Sequence, residues 1–146
     1  EANPTFSPDG RWLAYQSNES GKNEVWVKPF PSGEGKWMVS TGGAAHPRWS
    51  NAKELFYERL EDNRIMFANY REVDGSFQAD KPVLWSPGQL ADISGRPNYD
   101  VAPDGKRLAV LKVPEEREKV AKKNDKFVLI LNVFEELRRR VPAGKK

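Results

Sequence analysis

The sequence NPTFSPDGRWLAY, residues 3–15, contains the pattern on which the fold prediction rests. A proline and an aromatic residue precede Ser7-Pro8-Asp9-Gly10, and a short apolar run follows it. Serine, proline, aspartate and glycine in this order suit the four successive positions of a type I turn. The run at residues 11–16 (RWLAYQ) is rich in residues that favour β-strands. The stretch therefore predicts a tight turn that leads into a short strand.

Two later segments repeat this pattern, at residues 46–57 (HPRWSNAKELFY) and 96–111 (RPNYDVAPDGKRLAVL). Their prolines, Pro47 and Pro97, follow Pro4 at spacings of 43 and 50 residues. Spacings of this size are typical of one four-stranded propeller blade with its insertions. The second copy has Ser50-Asn51-Ala52-Lys53 where the first has its Ser-Pro-Asp-Gly segment, so we expect a looser or differently typed turn there.

Further strands complete the predicted units. A third strand is expected at residues 24–28, 64–70 and 127–131, and a fourth at residues 36–40 and 82–85. The third copy has a helical pattern at about residues 133–141 instead of a fourth strand. The prediction is an all-β chain, a single β-propeller segment of about three blades with a short C-terminal helix. Two blades are complete and four-stranded (about 1–43 and 44–94), and the third is incomplete (about 95–132).

Composition excludes several classes of function. The 146 residues suffice for one ordinary domain, and 38% hydrophobic with 11% aromatic residues allow a buried core. The absence of cysteine excludes disulfides and thiol chemistry. A net charge of +3, evenly spread, does not indicate nucleic-acid binding. No apolar run approaches 18 residues, so no membrane span or signal peptide is predicted, and the start at Glu1 suggests a cut chain.

The repeated phrase, Pro4-x-Phe6-Ser7-Pro8-Asp9-Gly10-Arg11 with its two echoes, resembles the TolB-type (WD40-like) β-propeller repeat of bacteria. The resemblance covers about residues 3–132. Residues 31–37, 53–57 and 131–137 are also similar to the C-terminal end of propellers attached to bacterial serine/threonine kinases or transmembrane regulators. The chain itself has none of the glycine-rich, His-Arg-Asp or Asp-Phe-Gly motifs of a kinase. The resemblance implies a periplasmic or extracytoplasmic location.

Three functions follow from this resemblance. The first is a noncatalytic, protein- or ligand-binding or sensing module within a larger bacterial signalling protein. The second is the lid of a prolyl oligopeptidase-like serine hydrolase, whose Gly-x-Ser-x-Gly motif would lie beyond Lys146. The third is a TolB-like partner in an envelope complex. Because one histidine and scattered carboxylates define no catalytic arrangement, we expect no enzyme activity and no cofactor in this chain.

A three-bladed arc would leave an apolar face uncovered at each end, because propellers bury blade faces by closing into a ring. We therefore expect the missing blades to come from the same chain or from a second copy, as in a homodimer. The tryptophans are expected between neighbouring sheets. They are Trp12, Trp26, Trp37, Trp49 and Trp85.

Four residues near the starts of the inner strands form the candidate ligand site. Arg48, Arg96 and Asn98 could line a positively charged channel mouth that binds an acidic ligand or a peptide carboxylate. His46, the only histidine, lies beside them, and the alternative for it is a structural or solvent-exposed role. For the others the alternative is a set of solvated loop charges.

Other charged segments predict no site. The carboxylates at Asp9, Asp100 and Asp104 lack the ligand spacing of an EF-hand, and no metal site has recognisable spacing. Residues 115–126 mix both charge signs, which is typical of a solvated loop. The basic residues 138–140 suit a helix C-terminus.

Overall fold

The computed structural model describes residues 1–91 and 95–111. Within these residues the chain forms eleven strands and no helix, which confirms the all-β prediction. The predicted third strand at 127–131, the charged segment 115–126 and the C-terminal helix at 133–141 lie outside the described residues. The strands are β1 (Ala2–Phe6), β2 (Trp12–Ser17), β3 (Glu24–Pro29), β4 (Trp37–Met38), β5 (Ala44–Ser50), β6 (Glu54–Arg59), β7 (Arg64–Val73), β8 (Ser76–Ala79), β9 (Val83–Gln89), β10 (Tyr99–Val101) and β11 (Leu108–Val110).

The strands form three antiparallel sheets in chain order. Sheet 1 has the order β1-β2-β3-β4, and sheet 3 is the pair β10-β11. Sheet 2 has the order β5-β6-β7-β8, with β9 also paired to β7. The ten-residue β7 pairs with β6 along one edge, and along its other edge its first part pairs with β9 and its last part with β8. All three sheets are open, and sequential neighbours pair because short turns join them.

The turn between the first two strands is similar in all three sheets. Gly10 donates its N–H to Ser7 O at 2.8 Å, and Gly105 donates to Ala102 O at 2.9 Å, as type I turns require. Gly10 and Gly105 have φ values of 70° and 69°, and Lys53 has 59° at the corresponding position. Lys53 thus takes the left-handed conformation of the two glycines despite its side chain.

Two hydrophobic clusters hold the sheets together. The first lies between sheets 1 and 2 and combines Trp12, Val25 and Val27 with Trp49, Leu55 and Tyr57, among others. The second lies between sheets 2 and 3, where Phe56, Ile65 and Leu90 meet Tyr99, Leu108 and Val110. Sheet 2 is therefore covered on both faces.

The tryptophans divide between these clusters and the surface. Trp12, Trp37 and Trp49 belong to or contact the first cluster, and Trp85 contacts the second. Trp26 pairs with Tyr15 across β2 and β3, so its side chain lies on the opposite face of sheet 1 from Val25 and Val27.

Candidate functional site

A bulge in β5, matched by one in β1, positions the only histidine of the sequence. The pairing register shifts between Ala45 and Arg48 in β5, where His46 and Pro47 together lie opposite one residue of β6. The same shift occurs in β1, where Asn3 and Pro4 together lie opposite one residue of β2. Since proline has no N–H to donate to the ladder, it suits a bulge. Asn3 and His46 have φ values of 52° and 55°, and a bulge of this kind re-aims the side chain of its extra residue.

Each bulge side chain bonds to the neighbouring strand. Asn3 Nδ2 donates to Gln16 Oε1 at 3.1 Å, and His46 Nδ1 lies 2.9 Å from Glu58 Oε2. His46 is 3% exposed and Glu58 4% exposed. The two pairs occupy corresponding places in sheets 1 and 2, but the second pair is ionisable and buried. His46 is therefore a buried residue with internal partners, rather than an exposed one.

His46 also joins sheet 2 to sheet 3. Its Nε2 lies 3.0 Å from Gly95 O, and its backbone oxygen accepts a hydrogen bond from the Tyr99 hydroxyl at 2.5 Å. Burial raises the pKa of Tyr99 well above its ordinary value of 10. Tyr99 therefore keeps its proton and remains a donor to His46.

Asn98 is buried on the sheet 3 side of the same region. Its side-chain amide donates to Ala91 O, and its backbone oxygen accepts from Leu111 N at 2.9 Å. Its Oδ1 is buried and finds no hydrogen-bond partner among the described residues. The side-chain amide of Asn98 thus links the start of sheet 3 to the end of sheet 2, and its Oδ1 can still accept a hydrogen bond.

The two candidate arginines are more accessible. Arg48 has a half-buried side chain whose Nη1 donates to Pro47 O at 2.8 Å and whose Nε lies 3.9 Å from Asp100 Oδ1. Arg96 is exposed. The structure places His46 and Arg48 on β5 and Asn98 directly before β10, but the exposed carboxylate of Asp100 partly offsets the charge of Arg48. The predicted cationic patch therefore includes an acidic group.

A second candidate surface is the outer face of sheet 1, which faces away from sheet 2. The register of β1 to β4 places six side chains on it. They are Phe6, Leu13, Tyr15, Trp26, Lys28 and Met38. Phe6 is 52% exposed and Met38 43%, and Phe6 contacts the exposed Phe30 edge-on with ring centroids 4.7 Å apart.

Two lysines cover part of this face. The ammonium of Lys28 lies 5.3 Å from the centre of the Tyr15 ring, and that of Lys36 lies 5.0 Å from the Trp26 ring. These are cation–π distances, and the lysine stems shield the rings from water. An open groove of about 590 Å³ runs beside them, lined by Tyr15, both lysines and the residues of the turn before β4. Lys36 also forms an ion pair with Glu19, and Glu1 lines the groove, so the border of the aromatic face carries charges of both signs.

The register shows that the outer face of sheet 1 corresponds to faces that are covered in the other two sheets. Two positions correspond when they lie the same number of residue pairs from the turn that joins the first two strands of their sheets. Phe6, Leu13 and Tyr15 correspond to Trp49, Leu55 and Tyr57 in sheet 2 and to Val101, Leu108 and Val110 in sheet 3. The sheet 2 set packs on sheet 1, and the sheet 3 set packs on sheet 2. In sheet 1 alone this face has no neighbouring sheet among the described residues.

Sequence reasoning missed Glu58 and the two lysines of the outer face. Glu58 has no motif that distinguishes it, because its pairing with His46 depends on the bulge. Alternation in residues 24–28 (EVWVK) places Trp26 and Lys28 on one face, and that signal could have indicated the lysines.

No protein-family model matches the chain, and no curated protein matches its sequence. The described residues contain no group of three or more histidine, aspartate or glutamate side chains placed to hold a metal ion. In the same part of the chain, no helix has the length and apolarity that a membrane crossing needs.

Proposed function

We propose that this chain is part of a β-propeller that serves as a noncatalytic binding module for a protein or a small ligand. The outer face of sheet 1 carries this proposal. It corresponds in register to the faces by which sheets 2 and 3 pack on their neighbours, yet it is uncovered among the described residues. A further β-sheet of the same repeat type is therefore the occupant that fits it.

The energetics favour an occupant. Burial of a large apolar side chain is worth about 1.5–3 kcal/mol, and large contiguous apolar patches are uncommon on monomeric proteins. Phe6, Phe30 and Met38 are such side chains, and all three are exposed on this face. Closing a ring of sheets would bury them, since a closed propeller leaves only short edges.

The inner strands supply the ligand-binding part of the proposal. Arg48 and Arg96 are accessible at the region where β5 and β10 begin, and Arg48 is held between Pro47 O and Asp100. An arginine guanidinium suits a carboxylate of an acidic ligand or peptide. The stacked sheets would present these groups rigidly.

The test measures the mass and the dye binding of the 146-residue chain. Light scattering after gel filtration distinguishes the 16.6 kDa monomer from larger species. If a second copy covers the face, we expect a concentration-dependent dimer that the combined Phe6→Ser and Phe30→Ser change dissociates. If the covering sheet comes from elsewhere in a longer protein, we expect a monomer that binds the apolar dye ANS and loses most of that binding with the same two changes.

The matched control is Val73→Ser, which removes a side chain that is also 43% exposed but lies on β7, outside this face. It should leave both the mass and the dye binding unchanged. A monomer that binds no dye would contradict the proposal, because the face would then have no affinity for apolar surface.

A further inference from the structure

The face of sheet 2 that meets sheet 3 is less completely covered at its outer strands than the equivalent face of sheet 1. Val27 of β3 and Phe67 of β7 are corresponding residues, since they hold the same register position in their sheets. Val27 is 0% exposed, whereas Phe67 is half-buried. Val83, which pairs with Phe67 from β9, is 49% exposed. Among the described residues, the outer part of this face therefore has less cover than its counterpart.

The later strands of sheet 2 supply the corresponding cover on sheet 1. Val25 and Val27 share a buried cluster with Ala68 and Tyr70 of β7 and with Phe77 of β8. Sheet 3 consists of β10 and β11 in the part of the chain that the structure describes. A third strand beside β11 would stand to sheet 2 as β7 stands to sheet 1.

A cavity lies at the place that such a strand would take. It has a volume of about 190 Å³ and separates the outer strands of sheet 2 from β11. The cavity and the strip beside it at Phe67 are called the sheet 2–3 groove below. Its lining includes the apolar side chains of Ile65, Trp85, Leu108 and Val110 and the cationic ones of Lys106 and Arg107.

The edge of β11 beside this groove carries main-chain groups that need partners. Arg107 O accepts a hydrogen bond from Ala102 N, and Leu111 N donates to Asn98 O, both at 2.9 Å on the β10 side. Main-chain groups alternate between the two edges of an antiparallel strand. Those of Leu108 and Val110 therefore point to the other edge, where no described residue pairs with β11. Such an edge accepts a further strand.

The sequence offers one segment that suits the groove. Residues 127–131 (FVLIL), which lie outside the described residues, are the only five consecutive apolar residues after Leu111. A short run that is apolar at every position suits a strand with packing on both faces. Fifteen residues, 112–126, connect it to Leu111, and neighbouring strands are only about 5 Å apart. The connection is therefore long enough for an antiparallel return.

We propose that residues 127–131 occupy the sheet 2–3 groove as an extended segment that pairs antiparallel with the open edge of β11. The segment gives partners to the main-chain groups of Leu108 and Val110, and its side chains cover Phe67. The groove is thus a docking site for a later part of the same chain. This inference does not rest on the proposed binding function, which concerns the outer face of sheet 1 and the inner strands.

NMR of the 146-residue chain tests the pairing without any variant. We expect the amides of Leu108 and Val110 to exchange at least about a hundredfold more slowly than their intrinsic rate, because a paired strand protects them. We also expect nuclear Overhauser contacts between β11 and residues 127–131. Exchange near the intrinsic rate, or contacts of the β11 edge with any other segment, would overturn the proposal.

A sample that mixes isotope-labelled and unlabelled chains identifies the source of the segment. Contacts between β11 and residues 127–131 should occur within one chain. Contacts found only between a labelled and an unlabelled chain would mean that a second copy fills the groove, which contradicts docking within the chain.

The matched variants carry two aspartates each. Leu129→Asp with Ile130→Asp places one charge on each face of the segment, and a buried charge without a partner is costly. We expect this variant to lose at least about tenfold of the protection at Leu108 and Val110. The amide of Val25, which donates to Ser40 Oγ at 2.8 Å in sheet 1, should keep its protection.

Val120→Asp with Ala121→Asp is the control, because it makes the same change of charge in the connection rather than in the segment. It should leave the protection of all three amides as in the wild type. Full protection at Leu108 and Val110 in the Leu129→Asp, Ile130→Asp variant would show that residues 127–131 do not cover the β11 edge.

Discussion

Gly10 and Gly105 occupy corresponding turn positions with nearly equal φ values, but their surroundings differ. A Cβ at Gly10 would have no heavy atom within 4 Å. A Cβ at Gly105 would collide with Glu54 Oε2 and lie 3.0 Å from Ser50 Oγ, both in sheet 2. Glu54 cannot move freely, because its carboxylate accepts a hydrogen bond from Ser50 at 2.7 Å. Gly10 is therefore favoured only by its positive φ. Gly105 is favoured by its positive φ and also by the close packing of its turn against sheet 2.

Alanine substitutions at these two glycines separate the two requirements. Gly10→Ala should reduce the free energy of unfolding by about 1 kcal/mol, the cost of a left-handed conformation with a side chain. Gly105→Ala should cost about 1 kcal/mol more, since the Ser50–Glu54 hydrogen bond must also break. Urea denaturation of both variants measures the difference. Equal losses would show that the Gly105 turn does not press on sheet 2.

At the scale of the element, the hairpin of β7 and β8 closes the core between sheets 1 and 2. Asp74 and Gly75 have φ values of 50° and 76°, which is the pattern of a type I′ turn between two strands. β8 brings Phe77 against four aromatic rings. These are Trp12 at 5.3 Å, Tyr70 at 5.4 Å, Trp37 at 5.9 Å and Trp49 at 6.3 Å between ring centroids.

Replacing Phe77 with alanine should lower the free energy of unfolding by about 3–5 kcal/mol, because a buried aromatic side chain leaves a cavity. Phe77 is 3% exposed. The control is Phe30→Ala, at a 44% exposed phenylalanine, which should cost no more than about 1 kcal/mol. Chemical denaturation followed by tryptophan fluorescence compares them. Similar losses for the two variants would mean that β8 is not part of the core.

At the scale of the whole molecule, burial of the tyrosines links the stacking of the sheets to alkaline stability. Burial raises the pKa of Tyr57 and of Tyr70 to about 12, with nearby carboxylates at Glu24 and Asp9 contributing in the same direction. Burial also raises the pKa of Tyr15 and of Tyr99. These four are all the tyrosines of the chain.

Stability should therefore decrease at high pH. The unfolded chain ionises its tyrosines near pH 10, whereas the folded chain keeps the protons of Tyr57 and Tyr70 to about pH 12. This contribution is fully present below pH 10 and disappears as the pH rises towards 12, because the unfolded state then holds fewer protons. Tyrosinate absorbance and circular dichroism, followed together, should change in one transition. Ionisation near pH 10 with the β-sheet signal unchanged would contradict it.

The repeated phrase made most strands of sheets 1 and 2 predictable. Turn residues and β-branched or aromatic runs are local signals, so β2, β3, β6 and β7 were expected close to their observed bounds. β8 was missed, although Asp74-Gly75 between strand-like segments is a strong hairpin signal. The third phrase was aligned with the others by Pro97, which would make Asn98 the counterpart of Thr5 and Arg48. The strand pairing instead makes Asp100 their counterpart, two residues later.

The candidate site was less predictable than the fold. His46 and Arg48 lie on β5, and Asn98 directly precedes β10. The partners of these residues could not be predicted, because a bulge shifts the register and changes which side chains face each other. Glu58 and Gly95 meet His46 only through that shift and through the stacking of sheet 3.

The amino-acid sequence by itself determined that this chain forms short antiparallel strands in repeated units, because turn and strand preferences act over a few neighbouring residues. Only the tertiary structure decided which face of each sheet is covered and which polar groups meet across sheets. Those outcomes depend on register and stacking between residues far apart in the chain. The buried imidazole between Glu58 and Gly95, and the uncovered aromatic face of sheet 1, are both consequences of that long-range packing.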